Sequence, residues 1–183
     1  GSIIEWGGTS GTIIEYNAGS GKSALISGSG TLRIQNSGHN SDRTLDVADD
    51  AGLDIELAIE PKLSTDGGTD SLTKTGDGTV ACEGNNDYTG TTTINAGTVL
   101  INGTTSGQGN YRVASGATLG GGGEIGVTGN MVTNHPGSYL SPGTNVNAVG
   151  TLNISGNCGL GEGVTYVWDY AEGSGDHVDV SGA

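Results

Sequence analysis

A chain of 183 residues with 37 Gly, 3 Pro, no Phe and 4% aromatics is long enough for one domain and too short for two comfortable ones. Six basic against twenty acidic residues give a net charge of −14, which argues against a nucleic-acid groove or an anionic membrane surface as partner. With hydrophobic residues at 32% and no long apolar run, nothing is equipped for direct membrane insertion, and the interior must be narrow or built from a repeated unit.

At the start, Ile3-Ile4-Glu5-Trp6 is echoed ten residues later by Ile13-Ile14-Glu15-Tyr16. Short strands are then expected over 31–35, 43–48, 53–60, 78–83, 91–95, 97–102, 111–114, 117–119, 124–128 and 150–155. Leu53, Ile55, Leu57 and Ile59 alternate with Asp54, Glu56, Ala58 and Glu60, as in a strand with one dry and one wet face. Val164, Tyr166, Trp168 and Tyr170 repeat that spacing near the end. Gly, Ser and Asn clusters break any helical period, so the chain reads as all-β.

Two topologies accommodate such strands: an antiparallel β-sandwich or a single-stranded parallel β-helix. Tight hairpin signals occur only at Asn102-Gly103, Asp77-Gly78 and Asp66-Gly67. Most corners are Asn-Ala-Gly, Ala-Ser-Gly or Ser-Gly-Asn, which suit bends between stacked strands, so the β-solenoid is preferred. A circuit of roughly 20 residues that rises about 4.8 Å then gives about eight circuits in one domain spanning 1–183. Residues 1–42 are expected as an N-terminal cap or irregular circuits, and 43–183 as the repeat-like region.

Within that region the chain reads Leu72-Thr73-Lys74-Thr75-Gly76-Asp77-Gly78-Thr79-Val80, then Gly84-Asn85-Asn86-Asp87-Tyr88-Thr89-Gly90, then Thr92-Thr93-Ile94-Asn95-Ala96-Gly97-Thr98-Val99. This resembles the autotransporter-associated β-strand repeat, also called the passenger-associated transport repeat. Leu72, Lys74, Gly76, Gly78, Tyr88, Gly90, Ile94 and Gly97 carry the likeness, and Cys82 stands where the repeat generally has Leu. The resemblance implies a right-handed parallel β-helix and a bacterial passenger protein, secreted or displayed at the cell surface. It transfers no catalytic residue and no cofactor. By period two, Val80, Cys82, Ile94, Val99 and Ile101 should point inward and Thr79, Glu83, Thr93 and Thr98 outward, with Tyr88 laid over a corner.

Outside the repeat, each candidate site has a plain alternative. Cys82 and Cys158 are 76 residues apart, or three to four circuits, which is too far for the roughly 7 Å a disulfide allows, so both are expected as free thiols. Asp42, Asp46, Asp49 and Asp50 are weak Ca²⁺ candidates that match no known calcium-loop spacing, and they read better as a solvated acidic face. His39, His135 and His177 are scattered through loops, and no nucleophile elbow, zinc motif or phosphate loop is present, so the chain reads as non-catalytic. Tyr166, Trp168 and Tyr170 could share one strand face and stack on a glycan, or could cover an open core end, as Trp6 and Tyr16 could at the other.

The function these readings favour is that of a stalk segment, monomeric, whose partners are adjacent regions of one large protein. A binding module for glycan or a surface protein, using 166–170 or a long loop at 103–110, is the alternative. A polysaccharide-cleaving enzyme relying on Asp49 or Asp50 is the third.

Overall fold

Short β-branched strands separated by glycine corners close into three-sided circuits, each strand pairing in parallel with its counterpart one circuit on. The structure, a computed structural model, describes residues 3–5, 11–34, 42–145 and 147–182. The first circuit supplies β1 (Ile3–Glu5), β2 (Gly11–Tyr16) and β3 (Ala24–Ile26). The second supplies β4 (Thr31–Arg33), β5 (Arg43–Val47) and β6 (Leu57–Ile59), and the third β7 (Lys62–Ser64), β8 (Leu72–Thr75) and β9 (Thr79–Cys82). The fourth contains β10 (Asn85–Asn86), β11 (Thr92–Ile94) and β12 (Thr98–Ile101), and the fifth β13 (Thr104–Thr105), β14 (Tyr111–Val113) and β15 (Thr118–Gly121). In the sixth, β16 (Glu124–Asn134) rounds one corner and serves two sides before β17 (Tyr139–Pro142). In the seventh, β18 (Thr151–Leu160) does the same before β19 (Thr165–Tyr166). A hairpin of β20 (Tyr170–Ala171) and β21 (Ser174–Gly175) then leads to β22 (His177–Val180), the first side of an eighth circuit.

This is a right-handed parallel β-helix, the sense in which parallel strands are almost always connected. Among the described residues, antiparallel pairing is confined to β20–β21 and one isolated bridge, Gly121–Gly143, which removes the sandwich alternative. No helix of the described residues is long and apolar enough to cross a membrane. Strands from residues 3–34 join the same ladders as the rest, through β1–β4, β2–β5 and β3–β6.

In-register stacking aligns like side chains into columns, and these columns are the core. Leu57, Val80, Val99, Leu119 and Leu140 form one and are all buried, with Tyr166 next in line. Ile14, Leu45, Lys74, Ile94, Val113, Asn134 and Leu160 form another. Circuit length follows from the first column: 33 residues separate Ala24 from Leu57 and 23 separate Leu57 from Val80. The next three circuits take 19, 20 and 21 residues, and the last takes 26.

Four local expectations are corrected. Alternation over 53–60 yields a strand only at 57–59: Leu53 and Ile55 are half-buried, and Glu56 turns inward because its carboxylate accepts from Thr79 N–H (2.6 Å) and Asp50 N–H (3.3 Å). Thr79, expected on the outer side, is buried at that contact. The strand through Val164 to Tyr170 breaks after Tyr166, because β20 folds back onto β21. The loop expected over 103–110 is shortened to 106–110, since β13 takes 104–105 and pairs with β10 and β16 on either side.

Candidate functional site

The corner between β8 and β9 carries Lys74, Gly76 and Gly78 of the repeat motif, and these residues work on the main chain. Lys74 is 1% exposed, so its stem runs through the core between Leu45 and Ile94. Its ammonium donates to Thr75 O (2.7 Å), Gly76 O (2.6 Å) and, one circuit on, Ala96 O (3.3 Å). Burial pushes the ammonium down to about 8, opposed by the charges of Asp46, Asp77 and Glu56. Gly76 and Gly97 hold φ of 73° and 66°, and a side chain on either would strike the neighbouring circuit: a Cβ on Gly97 would lie 2.4 Å from Gly78 O. Gly78 sits against Ala48 O and Gly90 against Asp70 O in the same way.

On the next side of the circuit, β7 and β10 stack with Asn86 taking over part of the ladder. Its Oδ1 accepts from Leu63 N–H (2.8 Å) and its Nδ2 donates to Gly84 O (3.1 Å). Tyr88 is inside the core rather than over a corner, 5% exposed, with its hydroxyl 2.6 Å from Thr92 Oγ1 and 3.4 Å from Tyr111 Oη. Burial raises both phenols, Tyr88 well above the ordinary value. Leu72 and Ile94 complete the core wall.

Residues 72–101 match the family described as Passenger-associated-transport-repeat. The chain carries this repeat. It is the kind found in autotransporter passenger segments, which implies a secreted or surface-displayed protein and is not indicative of catalysis. Neither the curated proteins nor the solved structures contain a match to the chain. The transport repeat coincides with the fold's tightest winding, the 19-residue circuit from Val80 to Val99.

Away from the transport repeat, the four acidic candidates separate. Asp42 and Asp49 are exposed, and Asp46 accepts from Thr75 Oγ1 at 2.9 Å. Asp50 is buried, its Oδ2 accepting from Gly21 N–H (2.8 Å), Gly19 N–H (3.0 Å) and the Tyr16 hydroxyl (3.2 Å). The Gly21 bond, ahead of the others, holds its carboxyl below the usual range. No group of three or more His, Cys, Asp or Glu could hold a metal ion among the described residues. Tyr16 is therefore a core residue rather than an end cover, while Trp6 and His39 lie outside the described residues. His135 and His177 are exposed. Cys82 is buried and Cys158 half-buried, and both are free.

The aromatic candidates stand at the far end. Trp168 and Tyr170 are 58% and 63% exposed, their rings 5.9 Å apart and tilted by 41°. They flank the hairpin whose two-residue turn, Glu172-Gly173, takes φ of 45° and 90°. Asp176 fixes the hairpin's base, accepting from Gly150 N–H (2.8 Å) and Asp169 N–H (2.9 Å). Tyr166 is separate from this pair and lines a groove of about 280 Å³ with Leu140, Cys158, Leu160, Val178 and Val180.

Proposed function

We propose that this protein is a non-catalytic extracellular segment of a bacterial passenger, acting as a stalk that spaces other regions of the same large protein from the cell surface. One observation carries the reading: the motif side chains Lys74 and Asn86 and the glycines Gly76, Gly90 and Gly97 are all engaged with main chain of their own or adjacent circuits. Residues spent in this way make a stiff rod and present little for a ligand to recognise. Continuous ladders leave few loose peptide groups for proteases, and a net charge of −14 keeps neighbouring rods apart. Asp50, whose Oδ2 already accepts three donors, is poorly suited to be the acid or base of a polysaccharide-cleaving enzyme.

A second reading has its own support, the exposed Trp168–Tyr170 pair on a braced hairpin, which is the kind of surface that stacks on a sugar ring. A glycan array separates the two. The stalk gives no selective signal, whereas a selective signal that disappears in the Trp168→Ala and Tyr170→Ala variants replaces it with an adhesin.

A further inference from the structure

A buried ammonium among three carbonyl oxygens is an unusual use of a core position, because the other positions of its column from Leu45 to Val113 are filled by hydrocarbon. Sharp glycine corners explain the need. At φ of 73° and 66°, Gly76 and Gly97 turn their corners so tightly that neither Gly76 O nor Ala96 O receives a main-chain N–H among the described residues. A carbonyl left without a donor beside a dry core is costly, and Gly76 O and Ala96 O both face the buried Lys74 ammonium. Lysine is the side chain with three donors and no acceptor, on a stem long enough to reach a corner from the middle of a strand.

We propose that the β8–β9 corner is a carbonyl-lined site for a small monovalent cation, that the chain fills it with its own Lys74 ammonium, and that this occupancy locks two successive circuits of the transport repeat together. The lock spans circuits because Thr75 O and Gly76 O belong to one corner and Ala96 O to the next. The charged groups around it are Asp46 on β5, Glu56 before β6 and Asp77 within the corner, all anionic and all favouring a cation. Burial works against them and leaves the ammonium easier to deprotonate than an exposed lysine.

The site predicts chemical rescue. Lys74→Met keeps the stem and removes the donors, and should lower the melting midpoint by roughly 5–10 °C. Lys74→Ala removes the stem beyond Cβ as well, leaving space for a propylammonium ion, which supplies the three missing carbons and the nitrogen. The midpoint of Lys74→Ala should therefore rise saturably with propylammonium chloride, beyond any effect of sodium chloride at equal ionic strength, and that of Lys74→Met should not. A Met variant as stable as the parent, or a folded Ala variant indifferent to propylammonium, overturns the proposal. If neither variant folds, lysine side-chain nitrogen spectra of the unaltered protein decide it. Of its three lysines, one ammonium should exchange slowly and titrate near 8, and three that all exchange and titrate as exposed lysines reject the site.

Discussion

Two positions of one column hold the same kind of residue in opposite conditions: Ile94, in the transport repeat, is fully buried, and Leu160, two circuits beyond Val113, is 64% exposed. Tyr166 and Val180 close two other columns and are likewise 42% and 47% exposed. An inward-pointing side chain in a β-helix is therefore buried by the circuits on either side of it, not by its own alone, and Ile14 and Ile26 of the first circuit are likewise only half-buried. Regular winding and burial go together here, since the 19- to 21-residue circuits are the ones whose columns are dry on both sides.

The sharpest way to break this contrast is to add one carbon to a glycine. A Cβ on Gly90 would stand 2.1 Å from Asp70 O and 2.4 Å from Asp70 C, main-chain atoms of the adjacent circuit that have nowhere to move. Gly90→Ala should cost about 4 kcal/mol, at the severe end for a single substitution, with loss of the cooperative melt. Gly173→Ala, at φ of 90° in the hairpin turn with nothing within 4 Å, should cost only about 1 kcal/mol of backbone strain. Equal effects in chemical denaturation would mean that the circuits are not packed as tightly as they stand.

Next in size is the column itself. Ile94→Ala should destabilise by about 3 kcal/mol, the sum of lost transfer energy and a cavity between fixed circuits, while Leu160→Ala should stay within about 0.5 kcal/mol. Urea midpoints for the two variants at constant slope would measure the difference directly.

Alternation over 57–59 and the glycine corners made the ladders readable, because period two and sharp bends are local properties of a strand. Glu56 was unreadable for the opposite reason: its partners, Thr79 N–H and Asp50 N–H, come from other stretches of chain, so an acid on the wet phase of Leu53–Ile59 could turn inward without any local sign. The role of Asn86 was hidden in the same way, in a ladder bond to Leu63 N–H one circuit earlier. At the C-terminal end, Val164 to Tyr170 looked like one strand because the turn at Glu172-Gly173 lacks the Asn-Gly or Asp-Gly signature, and the clamp by Asp176 acts across seven residues.

Thiol chemistry sharpens the comparison further. Burial pushes Cys82 up to about 12 and raises Cys158 as well. An unfolded thiol loses its proton near 9 while native Cys82 keeps it to about 12, so across that window the native state binds more protons and stability falls as pH rises, by about 1.4 kcal/mol per pH unit. Lys74 contributes the reverse slope between about 8 and its ordinary 10.5, where the native state binds fewer protons, and Tyr88 and Tyr111 add to the loss above 10. Stability should thus rise from about pH 8 to 9, stay nearly level to about 10 while the two slopes offset, and decline beyond, with Cys82→Ala flattening the decline. At pH 8, a thiol reagent should label half-buried Cys158 at least about 100-fold faster than Cys82, whose modification waits for the circuits to open.

The smallest expected effect concerns the hairpin. Trp168 packs one face against Gly175, where a Cβ would lie 2.7 Å from its Nε1, and leaves more than half of its surface in water. Trp168→Ala should therefore change stability by less than about 0.5 kcal/mol, yet it removes a ring 5.9 Å from that of Tyr170 and should erase much of the near-ultraviolet circular dichroism while leaving the far-ultraviolet band intact. A loss as large as that of Ile94→Ala would make the hairpin part of the core rather than an attachment to its last circuit. The expected outcome leaves an aromatic surface that the rod does not need for folding, which is the condition under which a surface is free to be used for something else.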